Sequence, residues 1–290
     1  MGDNGGMDLG KALALSGRGD GRYQAELSRD WEIWGPMGGY IASFALCAAG
    51  AESRFDRPVS FFCQYLGVAG FDDPIDLHVT QLRSSRNVES FRVHMTQGDR
   101  AIIEATVWTM GEVEGLEHEV VSPPAVDGPD GLLTVAEHFA RVGVEPVAPF
   151  KFWENFVSKP LDWHDEWPPK EQLEPIYREW HTFRPTPTFA DPWLDAARTV
   201  ILLDVASWPS AHRHHAWKWP NGQEWVAPSL DLYVAFHQPC ADDEWLLIDG
   251  HSPIGRDGLI AWNGRLWSPD RRLVATGAGQ ALCRRVPPQT

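Results

Sequence analysis

Two groups of polar side chains in the second half of the chain are of types that can do chemistry. Asp231 and His237 could act as an acid–base pair, but both alternate with apolar residues of a strand-like stretch and would face away from its apolar side. Six residues along a strand span about 20 Å, too far for direct contact, so we expect structural roles for both. His212, His214 and His215 could bind a metal ion, but no cysteine or paired carboxylate stands nearby at ligand spacing. We therefore expect these histidines to lie on a solvated loop.

The residues around position 40 predict one helix buried among strands. The stretch from Gly38 to Ala49 is apolar nearly all round, and a helix without a polar face must be enclosed by other structure. Strand-like segments accompany it at residues 23–27, 60–65, 75–81, 90–96 and 101–110. The last two flank residues 97–100, which favour a hairpin turn. The first unit is therefore expected to be an antiparallel sheet around one helix.

A weak internal repeat predicts that this unit occurs twice. Shifted by 170 positions, residues 58–79 fall on residues 228–249, so that Pro58 meets Pro228. Shifted by 171 positions, residues 99–103 fall on residues 270–274, and in both places a turn precedes an apolar strand. Chance could explain either match alone, but two matches at nearly one offset favour a duplication. We expect the second central helix near Asp204 to Ala216.

The remaining segments divide the chain. Residues 1–20 are rich in Gly and Asp and, with neither the basic region nor the cleavage pattern of a signal peptide, are expected to form a flexible tail. The first unit is expected at residues 21–111 and the second at residues 151–290. Residues 112–150 carry an acidic run and a Pro- and Gly-rich cluster, which predict a linker with one amphipathic helix near residues 133–142.

Charge and composition narrow the classes of function. The 290 residues carry a net charge of −15, which argues against nucleic acid or an anionic membrane as the main partner, because both favour a basic surface. A small anionic ligand would need only a local basic pocket. No apolar run has the roughly 20 residues of a transmembrane helix. The four cysteines stand apart without a C-x-x-C pair, which favours a reducing cytoplasm over a disulfide or zinc site.

The chain contains 15 tryptophans, most of them beyond residue 150. Such bulky amphipathic side chains suit a wide apolar groove or a subunit interface, and they equally suit a large aromatic core. The sequence leaves both interpretations open.

Several ordered segments resemble the TesB-like, or type II, acyl-CoA thioesterases. In the first unit these are residues 38–42 (GGYIA) and 82–91 (LRSSRNVESF). In the second unit they are residues 229–247, with the pattern SLD-x4-FH-x-P followed by DEWLL, and residues 265–276, which include RLWSPD and LVAT. The resemblance covers most of residues 20–286 and is weakest at residues 112–190. It implies an α+β double hotdog fold, in which two helices are each wrapped by half of an antiparallel β-sheet.

The resemblance also implies a catalytic site. In this family a water held by an Asp, a Thr or Ser, and a Gln hydrolyses fatty acyl-CoA to free acid and CoA, without a cofactor or metal. Asp204 and Ser229 stand at the first two positions. Ungapped matching puts the Gln on Gly279, and a bulge at Gly277 or Gly279 would move it to Gln280. The implied catalytic residues are thus Asp204, Ser229 and Gln280, although Asp204 could instead be a helix N-cap and Gln280 could satisfy local backbone.

Substrate-binding roles follow for two further groups. Gly38, Gly39 and Tyr40 open the first helix and would let its backbone approach the acyl thioester, or they form an ordinary turn into a helix. Arg83 and Arg86 could contact the phosphates of CoA, although a solvated hairpin would carry the same residues. A homo-oligomer is also expected, because hotdog proteins tend to pair their sheets.

Two alternatives to a thioesterase stay open. A hotdog enoyl-CoA hydratase would need an acid–base pair, but Asp204 and His212 would lie about 12 Å apart along one helix. A non-catalytic acyl-thioester-binding protein would keep the fold with an incomplete set of catalytic residues.

Overall fold

The structure, a computed structural model, describes residues 7–144, 150–219 and 224–286. Its α-helices are α1 (Leu9–Ala12), α2 (Gly38–Glu52), α3 (Val135–Arg141), α4 (Pro192–Val205) and α5 (Ser207–His215), and short 3-10 helices occupy Arg29–Trp31 and Lys151–Asn155. The strands of the first unit are β1 (Ser16–Gly19), β2 (Arg22–Ala25), β3 (Pro58–Tyr65), β4 (Ile75–Ser84), β5 (Val88–Gln97) and β6 (Arg100–Met110). Those of the second are β7 (Phe156–Pro160), β8 (Ile176–Phe183), β9 (Trp225–Val226), β10 (Asp231–Phe236), β11 (Leu246–Arg256), β12 (Leu259–Trp267), β13 (Leu273–Leu282) and β14 (Arg284–Arg285).

Twelve of the described strands form one antiparallel sheet in the order β1-β2-β4-β5-β6-β3-β10-β13-β12-β11-β8-β7. The first six positions belong to the first unit and the last six to the second, and the two units meet where β3 pairs with β10. Strands β9 and β14 pair separately with each other. With α2 and α4 packed together against this sheet, the predicted α+β double hotdog fold is confirmed.

The duplication inferred from the repeat is visible in the strand positions. The offset of 170 relates β3 and β4 to β10 and β11, and the offset of 171 relates the turn before β6 to the turn before β13. Outward from the β3–β10 junction, the strands of each unit then follow in matching order. The weak sequence matches therefore mark equivalent structural positions.

Helix α2 is buried along nearly its whole length, as its apolar sequence predicts. Tyr40, Phe44 and Leu46 are fully buried, because the helix lies between the sheet of its own unit and α4. The polar Ser43 is satisfied within the helix, where its hydroxyl donates to the carbonyl oxygen of Gly39 at 2.7 Å.

The second central helix is α4, which begins earlier than the repeat predicted. Its start is fixed by Asp191, whose side chain accepts a hydrogen bond from the N–H of Trp193 at 2.8 Å, and by Pro192 in its first turn. Asp204 therefore lies in the last turn of α4 and is not a helix N-cap.

The expected position, Asp204 to Ala216, was wrong because the two units have unequal connections. The chain passes from the central helix to the next strand of the twelve-stranded sheet through residues 53–57 in the first unit, but through residues 206–230 in the second. Helix α5 occupies part of that longer connection and packs on β8 and β11. A single offset fitted to the strands consequently misplaces the helix.

Helices α2 and α4 run antiparallel and approach closely at two glycines. A Cβ on Gly39 would lie 2.8 Å from the Cα of Ile201, near the end of α4. A Cβ on Gly50 would overlap the ring of Trp193, near the start of α4. Glycine at both positions lets the helix backbones approach without a steric clash.

The described part of the N-terminal segment is folded, which corrects the expected flexible tail. Leu9, Ala12 and Leu13 are buried in the main core, and Asp8 caps α1 by accepting a hydrogen bond from the N–H of Lys11. Strand β1 then pairs with β2 at the edge of the sheet. The Gly- and Asp-rich composition concealed these few apolar anchors, whose burial stabilises the segment. Residues 1–6 lie outside the described residues.

The linker contains α3 within the predicted residues 133–142, and the residues before α3 cover the outer face of the second unit. Val126 and Leu132 pack against Trp180 and Leu247 on that face. The Nζ of Lys159 also donates to the carbonyl oxygen of a linker proline at 2.8 Å. Residues 145–149 of the expected linker lie outside the described residues.

None of the helices in the described ranges is both long and apolar enough to cross a bilayer. The four cysteine thiols are unpaired.

Candidate active site

A cavity of about 480 Å³ lies where the start of α2 meets the end of α4. Its volume falls in the range of sites for small organic ligands, roughly 300–1,000 Å³. Both units contribute to its wall, which is mostly apolar and includes the aromatic residues Trp34, Phe150, Phe152, Trp153 and Trp208. Polar side chains are few in the lining, and two of them, Asp204 and Ser229, are in contact.

The tryptophans are divided between this cavity and the core. Trp34 and Trp208 meet edge to face in the cavity wall, with ring centroids 6.4 Å apart. Trp180, Trp262 and Trp267 are instead buried on the sheet. The groove and core interpretations of the tryptophan content therefore each hold for different residues.

Asp204 presents its carboxylate to the cavity from the last turn of α4. Its side chain is almost completely buried, at 5% exposure, and both oxygens are hydrogen-bonded. Oδ1 accepts from the Ser229 hydroxyl at 2.9 Å, and Oδ2 accepts from the N–H of Gly39 at 2.7 Å. Burial raises the pKa of Asp204 to about 6, while the two hydrogen bonds oppose the rise by stabilising the charged form. The carboxylate is therefore ionised at neutral pH and can accept a proton.

Ser229 reaches Asp204 from the residues immediately before β10. Its backbone forms an isolated bridge with Ala281 of β13, and the N–H of Leu230 donates to the carbonyl oxygen of Gln280 at 2.7 Å. These backbone contacts fix the segment against the sheet and hold the serine hydroxyl at the cavity wall. The structure thus brings Asp204 and Ser229 together.

The three residues at the start of α2 differ in their positions relative to the cavity. Gly38 lines it, and a Cβ at residue 38 would lie 2.7 Å from Oδ2 of Asp204, so glycine keeps this side of the carboxylate open. The N–H of Gly39 is taken by Asp204 and is not free for a substrate. Tyr40 lies outside the cavity lining, where its ring stacks on Trp31 and its hydroxyl donates to the carbonyl oxygen of Ala12 at 2.9 Å.

The structure does not bring Gln280 to the Asp204–Ser229 pair. Side chains alternate along β13, so Gln280 is exposed on the outer face, and it is absent from the cavity lining. The expected bulge is also absent, because Gly277 and Gly279 keep a regular register with β12. Gln280 is held through its backbone N–H, which donates to Oδ1 of Asp231 at 2.9 Å.

Gly279 occupies the inward-facing position next to Gln280. A Cβ there would lie 2.5 Å from the carbonyl oxygen of Asp231, so a larger side chain would require the backbone of β10 to move. It would also lie 3.1 Å from the indole nitrogen of Trp262, which has no hydrogen-bond partner among the described residues. No side-chain amide therefore enters the site from this strand position.

The arginines expected to bind phosphate lie elsewhere. Arg83 and Arg86 are exposed around the β4–β5 turn and are absent from the cavity lining. The arginine that does line the cavity is Arg284, an exposed residue of β14 whose side chain has no ion-pair partner among the described residues. Sequence reasoning missed it because β14 and its partner β9 are each only two residues long.

Tyr65, at the end of β3, is a further polar residue of the cavity that sequence reasoning missed. Its hydroxyl is buried and makes no hydrogen bond of normal geometry to any described residue. The thiol of Cys63 lies within reach of the hydroxyl, but sulfur is only a weak hydrogen-bond partner. The alternation of Phe61, Cys63 and Tyr65 along β3 is the signal that could have placed this hydroxyl on the inner face.

The other polar residues considered in the sequence lie away from the carboxylate pair. His237 follows β10, with Nε2 3.0 Å from the hydroxyl of Thr276. His212 and His214 belong to α5 and contact the backbone carbonyl oxygens of Trp219 and Leu173. None of the three is among the residues lining the cavity in the described ranges.

Comparisons with known proteins agree with the two-unit architecture. The family model of the acyl-CoA thioesterase N-terminal domain matches residues 27–110, and that of the C-terminal domain matches residues 125–283. Mouse acyl-coenzyme A thioesterase 8 is 27% identical over 90% of this chain and 86% of its own length.

Solved structures share the fold over nearly the whole chain. The acyl-CoA thioesterase II TesB2 of Mycobacterium marinum superposes with a TM-score of 0.76 at 19% identity, covering 97% of this chain and all of the other. A hotdog-fold protein of unknown function from Alicyclobacillus acidocaldarius superposes with a TM-score of 0.75 at 17% identity, covering 97% of this chain and 98% of the other. Since the two family models together match most of the sequence, in the order of its two units, the chain belongs to the acyl-CoA thioesterase family.

Proposed function

We propose that this chain hydrolyses acyl-CoA thioesters in the cavity between its two units, with Asp204 as the general base. The observation that carries this proposal is the Asp204 carboxylate, which is buried in the cavity wall with both oxygens hydrogen-bonded. Its pKa of about 6 lets it accept a proton at neutral pH. Membership of the acyl-CoA thioesterase family supports the substrate class.

The chemistry follows from the position of this pair. A water beside Asp204 attacks the thioester carbonyl carbon while Asp204 accepts its proton. Ser229 orients the carboxylate through its hydrogen bond to Oδ1 and offers a hydroxyl oxygen to the water. The tetrahedral intermediate then breaks its carbon–sulfur bond, and the leaving CoA thiolate takes the proton from Asp204. No cofactor is needed for this sequence of steps.

The cavity wall fits the two ends of an acyl-CoA molecule. Ile41, Ile102 and Phe152 are among the apolar residues that would bury the acyl chain. Arg284, exposed and without an ion-pair partner in the described part of the chain, would meet the phosphates of CoA in place of Arg83 and Arg86.

A second candidate function is non-catalytic binding of acyl thioesters. The observation in its favour is the position of Gln280, which is exposed on the outer face while Gly279 occupies the inner position. The hydratase alternative has no comparable support, because no histidine lines the cavity in the described residues to pair with Asp204.

Substitution of the proposed base distinguishes acyl-CoA hydrolysis from non-catalytic binding. Asp204→Asn keeps the shape, since its oxygen can still accept from Gly39 and its amide can donate to the Ser229 hydroxyl. Because general-base catalysis contributes typically 10²–10⁴-fold, we expect thiol release from a panel of acyl-CoAs to fall by about that factor in a folded protein.

Asp231→Asn is the matched control, because Asp231 contacts the backbone of Gln280 outside the cavity lining and should tolerate the change. Parental rates in Asp204→Asn would refute the proposed base. Binding of acyl-CoA by the unmodified protein without any thiol release would identify the non-catalytic alternative.

We further propose that the protein acts as a homo-oligomer in the cytoplasm. The unpaired cysteines suit a reducing compartment. Phe62, Trp108 and Tyr233 expose large apolar surfaces on the outer face of the central strands, which a second copy of the chain would cover.

A further inference from the structure

We propose that the Tyr65 hydroxyl donates the hydrogen bond that holds the carbonyl oxygen of the bound thioester during hydrolysis. This inference rests on the proposed thioesterase function and adds to it a residue that stabilises the developing negative charge. Tyr65 lines the cavity, and its buried hydroxyl has no hydrogen-bond partner of normal geometry among the described residues. A buried donor without a partner is costly unless a ligand completes its hydrogen bond.

The hydroxyl lies close to the proposed base. The position that a Cβ on residue 38 would occupy is 2.7 Å from Oδ2 of Asp204 and 3.3 Å from the oxygen of Tyr65. Because residue 38 is glycine, no side chain occupies the gap between carboxylate and phenol, and both residues line the cavity. A thioester carbonyl placed there meets the water activated by Asp204 on one side and the phenol on the other.

Two backbone donors in the first turn of α2, those of Gly39 and Tyr40, do not replace the phenol. The N–H of Gly39 donates to Asp204 at 2.7 Å, and the N–H of Tyr40 is 3.3 Å from the sulfur of Met37. Helix N-terminal amides often stabilise an oxyanion, but these two are already engaged.

The other hydroxyl groups of the described cavity lining are also engaged. The Ser229 hydroxyl donates to the carboxylate of Asp204, and the Ser207 hydroxyl donates to the backbone oxygen of Asp204 at 2.7 Å. The inner position of β13, Gly279, has no side chain to contribute. Among the hydroxyl groups of the described lining, Tyr65 alone has no oxygen acceptor for its proton, since its neighbour is the weakly accepting thiol of Cys63.

The step is balanced in atoms and charge. The water oxygen bonds to the carbonyl carbon, its proton passes to Asp204, and the carbonyl electron pair moves to the oxygen held by Tyr65. When the carbonyl re-forms, the carbon–sulfur bond breaks and the thiolate takes the proton from Asp204. Tyr65 keeps its own proton throughout, and burial raises the pKa of its phenol well above the ordinary value, so it stays protonated at working pH.

Tyr65→Phe removes this hydroxyl and keeps the ring. Loss of one oxyanion donor typically lowers kcat about 10²–10³-fold, and we expect a fall of that size with little change in KM. The acidic limb of the pH–rate profile should stay near pH 6, because Tyr65 acts on the substrate oxygen and not on Asp204. Thermal stability should change little, because the hydroxyl would lose only a weak interaction with the Cys63 thiol.

Tyr23→Phe is the matched control, since its hydroxyl bonds Glu52 outside the cavity lining and its loss should leave kcat unchanged. A parental kcat in Tyr65→Phe, alongside a low kcat in Asp204→Asn, would overturn the role of Tyr65 while leaving the proposed function intact. A change in KM alone, or a kcat loss that follows a loss of thermal stability, would also overturn it by assigning a packing role. Unmodified protein that releases no thiol from any acyl-CoA would refute the proposed function and this inference together.

Discussion

Two opposing effects set the pKa of the Asp204 carboxylate. Burial raises its pKa, while the donors Ser229 and Gly39 lower it, and the outcome is about 6. Because this value exceeds the ordinary 3.8, the folded state holds the proton more tightly than the unfolded state does. The tighter proton binding by Asp204 therefore contributes fully to the free energy of unfolding below about pH 3.8. This contribution is lost as the pH rises through about 6. At neutral pH the fold carries a buried charge that favours catalysis and disfavours folding.

The Ser229 hydrogen bond can be tested through this pKa. Ser229→Ala removes a donor that stabilises the charged carboxylate, so the pKa of Asp204 should rise and the acidic limb of the pH–rate profile should move to higher pH. On the plateau above that limb, turnover should fall on the order of tenfold, since water can partly replace one hydroxyl. The measurement is kcat/KM for one acyl-CoA between pH 4.5 and 9.

Ser252→Ala serves as the control, because that hydroxyl donates to the backbone of Ala261 outside the cavity lining. An acidic limb that stays in place in Ser229→Ala would contradict the assigned hydrogen bond.

Single residues of the site were predictable to different degrees. Asp204 and Ser229 followed from the family resemblance. Gln280 was misassigned because it depended on a bulge at Gly277 or Gly279, whereas β13 keeps a regular register there and its inner face carries small residues. A Cβ on Gly277 would lie 3.0 Å from a Leu203 methyl carbon, so close packing of α4 leaves room for little more than glycine. Predicting that Tyr65 belongs to the site requires knowing which end of β3 meets the cavity, and sequence periodicity does not specify this.

At the scale of elements, the site depends on the contact between α2 and α4. Gly39→Ala should force these helices apart, because the added Cβ would lie 2.8 Å from the Cα of Ile201 and 3.0 Å from the Cβ of Asp204. Overpacking of this kind costs about 1–3 kcal/mol, which we expect as a loss in the free energy of unfolding measured by chemical denaturation. Activity should fall as well, since the N–H of residue 39 would move away from Asp204.

Gly115→Ala is the comparison, because an added Cβ there meets nothing within 4 Å. Equal stability of the two variants would show that the helices have more freedom than their close approach indicates.

The elements themselves were predicted best where local sequence determines them. The apolar run of α2 and the turn before β6 lie where the sequence places them, since each is specified by neighbouring residues. The start of α4 was missed because the length of a connection is not fixed by the strands that it joins. The folded N-terminal segment was missed because three buried side chains outweigh its loop-like composition.

At the scale of the whole molecule, the outer face of the sheet is covered in the second unit but partly exposed near the junction of the two units. The linker covers the second unit through Val126 and Leu132, but near the junction of the units Phe62, Trp108 and Tyr233 stay between 38% and 45% exposed. The duplication and its antiparallel halves were predictable from the repeat. The linker's position was not, because its sequence carries only a few scattered apolar residues.

The exposed patch is where we expect copies of the chain to associate. Phe62→Asp places a charge where Phe62 lies opposite Tyr233 across the β3–β10 junction, so it should weaken self-association. Light scattering at micromolar concentration should detect a lower mass for this variant. Leu116→Asp, at a fully exposed linker position, should leave the mass unchanged. A strictly monomeric unmodified protein would refute the expected oligomer.

The contact between Gly50 and Trp193 has a consequence for stoichiometry. Two identical units would offer two equivalent pockets, one at each end of the α2–α4 pair. At one end Gly38 leaves the carboxylate of Asp204 open to the cavity, whereas at the other end the ring of Trp193 fills the space over Gly50. Within the described residues, the α2–α4 pair thus keeps one open pocket, the proposed acyl-CoA site, and cooperativity between substrates would have to arise between chains.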